Sequence, residues 1–163
     1  LVKITDPAQA PSGPISLDVV RHERYLPEIK HVGEIGKTLL LRQANSREFD
    51  DAAFEDRTGR LSEATIWNLA FWNGETVIWP GAEYLPGVTM QNLARRLRDM
   101  GVSQATRAIR MADISDRLSA VVMNSRTPAV TVSKIGERPM NVDSAFSRLL
   151  HKAYASESQA LLS

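Results

Sequence analysis

Cysteine is absent from the 163 residues, which excludes a disulfide framework, a thiol nucleophile and a Cys-based metal site. Histidine is scarce: only His22, His31 and His151 occur, too few and too scattered for a metal centre to be expected. No apolar run approaches the length of a membrane span, and the opening LVKITDPAQAP lacks the charged-then-apolar order of a signal peptide. Neither sign of charge dominates. Lys plus Arg is 20 against 19 for Asp plus Glu, a balance that argues against nucleic acid or a membrane surface as the main partner. Internal repeats and low-complexity tracts are also missing. What is present is a chain with 43% hydrophobic and 24% charged residues, the profile of a soluble globular domain large enough for a real core and expected in the cytoplasm. It begins at Leu rather than Met, as a piece of a longer protein would.

Along the chain, Leu1–Thr5 and Ile15–Val20 have the composition of short strands, joined by the connector DPAQAPSGP. From Gly33 to Phe49 the pattern turns helical, with Ile35, Leu39 and Ala44 offering an apolar face. Asp51–Asp56 and Thr58-Gly59-Arg60 read as a strand and tight turn. Ala64–Trp72 is β-rich, Asn73-Gly74 is a hairpin signal, and Thr76–Trp79 returns, so this region predicts an antiparallel meander. A helix follows with Thr89 as its N-cap, Met90, Leu93, Leu97 and Met100 on one face, and Gly101 as its stop. Ala105–Arg110, Ala120–Asn124 and Ala129–Ile135 are further strand candidates. Met111–Leu118 reads as a short helix, and Val142–Tyr154 as a final amphipathic one. Without a regular βαβ rhythm the fold class is mixed α/β (α+β), barrel-like.

Single residues leave two readings open each. Lys30 ends the run Tyr25-Leu26-Pro27-Glu28-Ile29, where it is either a desolvated nucleophilic amine or a lysine snorkelling at the surface. Glu63 opens a strongly apolar β stretch; it is either buried against a cationic partner or solvated at a strand edge. Gly87-Val88-Thr89 before a helix lets backbone N–H groups approach an anion, although many helices begin this way. Arg95, Arg96 and Arg98 fit a solvated helix surface, and Trp67, Trp72 and Trp79 fit core or interface aromatics.

Together, residues 20 to 154 resemble the class IV aminotransferases, the fold-type-IV pyridoxal-phosphate enzymes that include branched-chain and D-amino-acid aminotransferases and aminodeoxychorismate lyase. Five segments occur in register. Pro27–His31 resembles the segment carrying the Schiff-base lysine. Phe49–Asp56 with Gly59-Arg60 resembles the family's acidic strand and turn. Ser62–Leu69 repeats its Glu-to-Asn step, Leu85–Thr89 its phosphate turn, and Met123-Asn124-Ser125 with Pro128 its second phosphate-side segment, nearest to the lyase version.

The resemblance implies roles. Lys30 would bind pyridoxal phosphate covalently and then shuttle a proton, a double duty suited to a desolvated amine. Glu63 would face the pyridine nitrogen and keep it protonated. Asn68, Gly87, Val88, Thr89 and Ser125 would complete cofactor binding, and Arg126 and Thr65 would meet substrate, with no metal. Departures accompany these matches: Ile35 stands where some members have Tyr, and Thr65-Ile66-Trp67 is bulkier than the usual small run.

The implied whole is the C-terminal domain of an aminotransferase acting on an amino acid and a 2-oxo acid. Residues 1–20 would form the tail and linker of an N-terminal domain not present here, residues 21–163 the cofactor domain, and the assembly a homodimer. A lyase of the same fold and a non-catalytic interaction module are the alternatives.

Overall fold

The computed structural model describes residue 9 and residues 11–31 and 35–157. Leu1–Thr5 therefore lies outside the described residues. The strands are β1 (Ile15–Arg21), β2 (Asp51–Glu55), β3 (Leu61–Ala64), β4 (Asn68–Trp72), β5 (Thr76–Pro80), β6 (Ser103–Arg107), β7 (Ser119–Asn124), β8 (Thr127–Ile135) and the short β9 (Arg138–Pro139). The helices are α1 (Ile35–Ser46), α2 (Val88–Asp99) and α3 (Ser144–Ala155). Among the described residues no helix is long and apolar enough to cross a membrane.

Six strands close into a barrel in the order β3-β2-β1-β8-β7-β4, and a pairing of β3 with β4 at Glu63 and Asn68 completes the ring. β1 runs parallel to both β2 and β8, with α1 as the crossover from β1 to β2; the remaining ring pairs are antiparallel. β5 and β6 extend the sheet beyond β4. Ile15–Arg21 is thus a central barrel strand, while the connector precedes it.

The central barrel strands β4 and β7 are apolar on both faces because both faces are covered. Leu69 and Phe71 point into the barrel with Leu17, Val122 and Val132, whereas Ala70 and Val121 between them pack under α2 and α3 against Leu93, Leu97, Phe146 and Leu150. Each such Leu or Phe, fully buried, contributes about 1.5–3 kcal/mol. A third cluster seats Ala44 and Leu40 of α1 on Val20, Ala52 and Phe54. Trp67 and Trp79 are buried, and Trp72 stacks on Phe146 with ring centroids 5.4 Å apart.

Several expected boundaries move. The β-rich run Ala64–Trp72 is two strands, because the Asp51 carboxylate collects the Thr65 and Trp67 donors and bends the chain between them. The apolar face expected on α1 is rotated: Ile35 is 87% exposed and Leu39 56%, while Lys37, Leu40 and Ala44 face inward. Met111–Asp113 is a single 3₁₀ turn rather than a helix to Leu118, tied by the Asp113 side chain to the Arg110 amide at 2.8 Å. α3 begins at Ser144, where the Asp143 carboxylate accepts from the Ala145 and Phe146 amides. Gly101 ends α2 as expected, with φ of +72° and its amide bonded to the Arg98 carbonyl at 3.0 Å.

Candidate active site

A cavity of about 360 Å³ lies at the seam between β3 and β4, under the start of α2. Lys30, Glu63, Thr65, Asn68, Gly87, Val88, Thr89 and Ser125, all singled out in the sequence, line it. Arg126 does not. It sits at the exposed tip of the β7–β8 hairpin, where the Asn124 side-chain oxygen accepts from the Arg126 and Thr127 amides.

Glu63 is 4% exposed on β3, so its charge needs company, and the sequence supplies two cations. Arg24 Nη1 lies 3.7 Å from Glu63 Oε1, and Lys37 Nζ lies 3.9 Å from the same oxygen. Both cationic side chains are buried, and both line the cavity. Arg24 also reaches the other way, its Nη2 donating to the Ile29 carbonyl at 3.3 Å, one residue before Lys30. The turn carrying Lys30 is further closed by the Ile29 amide donating to Leu26, whose φ is +50°, a conformation a leucine adopts at a cost. One guanidinium therefore bridges the Glu63 carboxylate and the carbonyl just before Lys30.

The second wall is the entrance to α2. Asn68 Nδ2 donates to the Leu85 carbonyl at 2.7 Å, and Gln91 Nε2 to the Pro86 carbonyl at 2.7 Å. These bonds fix the Leu85-Pro86-Gly87 turn. Gly87 is required there because the Asn68 side-chain oxygen fills the space of a Cβ. Thr89 is not the N-cap as expected: Gly87 occupies that place, no side chain caps the helix, and Thr89 is a buried residue within its first turn. The turn bonds hold Gly87 back as the cap, so the helix begins two residues earlier than a Thr89 cap would set it. Its opening amides at the positive end of the helix dipole thus have no side-chain cap.

The third wall is the Thr65-Ile66-Trp67 turn. Asp51 Oδ1 accepts from the Thr65 hydroxyl at 2.6 Å and its amide at 3.2 Å, and Asp51 Oδ2 accepts from Trp67 Nε1 at 2.9 Å. Burial pushes the Asp51 carboxyl above the usual range, and these donors offset only part of that rise. The Thr65 hydroxyl is committed to Asp51, so Thr65 offers a ligand shape rather than a donor. Ile66 is 54% exposed at the rim.

Sequence reading missed Arg24 and Lys37. Lys37 carried a usable signal, since it shares the i, i+3, i+7 face of Leu40 and Ala44, and a lysine on a buried face needs a carboxylate. Arg24, in a loop, carried none. A more open depression of about 560 Å³ between α2 and β6, lined by Trp79, Tyr84 and Gln104, holds none of the candidate residues.

The Amino-transferase class IV family pattern matches residues 3–135. No curated protein matches the chain. Among solved structures, the PLP-bound form of a hypothetical aminotransferase from Mycobacterium tuberculosis is similar at 20% identity and a TM-score of 0.77, over 87% of this chain and 56% of that one. A protein assigned provisionally as a 4-amino-4-deoxychorismate lyase from Legionella pneumophila is similar at 20% identity and a TM-score of 0.82, over 92% and 59%. A fold IV-transaminase from Curtobacterium pusillum is similar at 18% identity and a TM-score of 0.74, over 86% and 51%. The chain spans less than two thirds of the length of each of these proteins. At such identities the structures speak for a shared fold, and the family match covers most of the sequence: this chain belongs to the class IV amino-transferases.

Proposed function

We propose that this chain is the cofactor-bearing part of a pyridoxal-phosphate-dependent aminotransferase that exchanges an amino group between an amino acid and a 2-oxo acid. The observation that carries the reading is that Lys30 and Glu63 line one cavity, with the uncapped start of α2 on its wall. The residues fit the cofactor chemically. Lys30 supplies the amine, the Glu63 carboxylate suits the pyridine nitrogen, and the Val88 and Thr89 amides with the Ser125 hydroxyl suit a phosphate. Gly87 lets the Asn68 side chain close against the helix entrance. Bound there, pyridoxal phosphate would supply the electron sink for charge developing at the substrate's α-carbon.

The chain's own groups do the rest. Lys30, once displaced by the incoming amine, would move the proton to and from the α-carbon as a general base and acid. Arg24 holds the Lys30 turn against Glu63, and the Asp51-anchored turn sets the rim where the substrate side chain would enter, shaped by Ile66. In this reading the protein works as a homodimer, as the family resemblance implies, and in the cytoplasm, as its composition leads one to expect.

The test is absorbance of the full-length protein mixed with pyridoxal phosphate. A new visible band that vanishes in Lys30→Ala is expected, and an unchanged spectrum in that variant would sink the assignment. Product analysis with an amino donor then separates a transaminase, which returns a 2-oxo acid and pyridoxamine phosphate, from a lyase, which does not.

A further inference from the structure

Asp51 is a buried carboxylate whose two oxygens serve a turn 14 to 16 positions away in sequence. Its Oδ1 accepts from the Thr65 hydroxyl and amide, and its Oδ2 accepts from Trp67 Nε1. Burial opposes a charge at this place, so an apolar side chain would be easier to seat on β2. What the carboxylate gains is control of the turn. It ties the residues on both sides of Ile66 inward, and the Ala64 amide, donating to the Trp67 carbonyl at 2.8 Å, closes the bend. Ile66, between them, is the side chain left outward: it is half-exposed and lines the cavity together with Lys30. Asp51 does not line the cavity, so it acts there only through this turn.

We propose that Ile66 selects the substrate's side chain, favouring an apolar one over one that carries a carboxylate, and that Asp51 is the positioning residue that holds Ile66 at the rim. The inference rests on the aminotransferase reading of the cavity. Val88, at the start of α2, is a second exposed aliphatic residue on the lining. Among the described residues, the cations lining the cavity are Arg24, Lys30 and Lys37. Arg24 and Lys37 both approach Glu63, and Lys30 is the amine of the proposed reaction, so each of the three already has a task. Arg126 lies off the cavity. A side-chain carboxylate brought against Ile66 would lose water without gaining a partner from that side chain, whereas an apolar group would gain buried area.

The experiment loads the full-length protein with pyridoxal phosphate and titrates it calorimetrically with two acids that lack the reacting amino group, 3-methylbutanoate and glutarate. Wild type should bind 3-methylbutanoate about tenfold or more tighter than glutarate. Ile66→Arg should reduce that ratio about tenfold, since it adds a charged donor for the distal carboxylate. Asp51→Asn offers one acceptor oxygen instead of two, so Thr65 and Trp67 cannot both be held, and the ratio should shrink about threefold or more. A variant that is merely destabilised would bind both acids less well in proportion and leave the ratio unchanged. If Asp51→Asn does not fold, Trp67→Phe, which keeps an aromatic ring and removes the Nε1 donor, carries the same comparison. A loaded wild type that binds neither acid, binds both alike or prefers glutarate overturns the inference alone. An unchanged ratio in Ile66→Arg, or in the variant that loosens the turn, does the same. A wild-type protein that takes up no pyridoxal phosphate overturns the proposed function and this inference with it.

Discussion

Asn68 and Gly87 fit each other as tightly as any pair at the cavity: the Asn68 amide holds the Leu85 carbonyl at 2.7 Å, and its oxygen fills the place where a side chain on residue 87 would begin. Gly87→Ala therefore forces the turn at the start of α2 apart and should cost about 1–3 kcal/mol. In urea unfolding, Asn68→Ala in the same chain should recover part of that loss, a coupling of about 0.5 kcal/mol or more. Strict additivity of the two changes would disprove the contact.

Glu63→Gln takes away the carboxylate that Arg24 and Lys37 share, while both cationic side chains stay buried beside each other. A loss of about 3–5 kcal/mol is expected, the usual result of breaking a buried ion pair from one side. Adding Lys37→Met to that variant removes one of the two neighbouring cations and should restore part of the stability. Thermal unfolding of the single and double variants decides the matter.

Arg24→Gln removes the donor to Ile29 and frees the turn that carries Lys30, although Lys37 still accompanies Glu63. Cofactor affinity should fall about tenfold, the worth of one hydrogen bond from a charged group. Titration of the visible band against pyridoxal phosphate measures it, and unchanged affinity would show that the turn holds itself.

Two buried aspartates give opposite slopes in acid. Burial alone would raise the Asp56 carboxyl, yet bonds from Arg60 and Thr58 outweigh it and hold it at about 2. Asp56 thus contributes stability that is present above the ordinary value of 3.8 and is lost as pH falls toward about 2. Allowing for solvent screening, this is about 1–2 kcal/mol, and Asp56→Asn should flatten that limb of a stability–pH curve. Asp51, raised by burial, binds its proton more tightly when folded. Its contribution is present in acid and lost as pH rises from 3.8 through its raised value, so Asp51→Asn should change the curve in the opposite sense.

Much of the architecture was legible because it follows from local rules. The hairpin at Asn73-Gly74, the Gly101 stop and the amphipathic faces of α2 and α3 depend on neighbours in sequence, and they lie where those neighbours put them, except that Met100, expected on the α2 face, caps the helix end and is exposed. A barrel-like class was named from the sequence, but which strands close the ring was not legible, since that depends on which strand ends meet in space. The break at Thr65–Trp67 was missed for the same reason: its cause, Asp51, is 14 positions away in sequence from Thr65. At the site, the segments with motif character line one cavity, whereas Arg24 and Lys37 gain meaning only from Glu63. Of the expected α1 face, Ala44 is buried but Ile35 and Leu39 are exposed, because the inner position at Lys37 meets Glu63.

The rung that pairs Glu63 with Asn68 is also the last joint of the ring. β1 must find β8 across most of the chain, and the Ser133 hydroxyl reaches the Ile15 carbonyl over 118 positions. Every candidate residue lies before β8, yet the ring has no closure without it. During synthesis, a chain halted just short of Thr127 would already contain the lysine, the glutamate and the glycine turn, and still have an open ring. Under the proposed function, cofactor capture is then a late event, reserved for chains whose last barrel strand is in place.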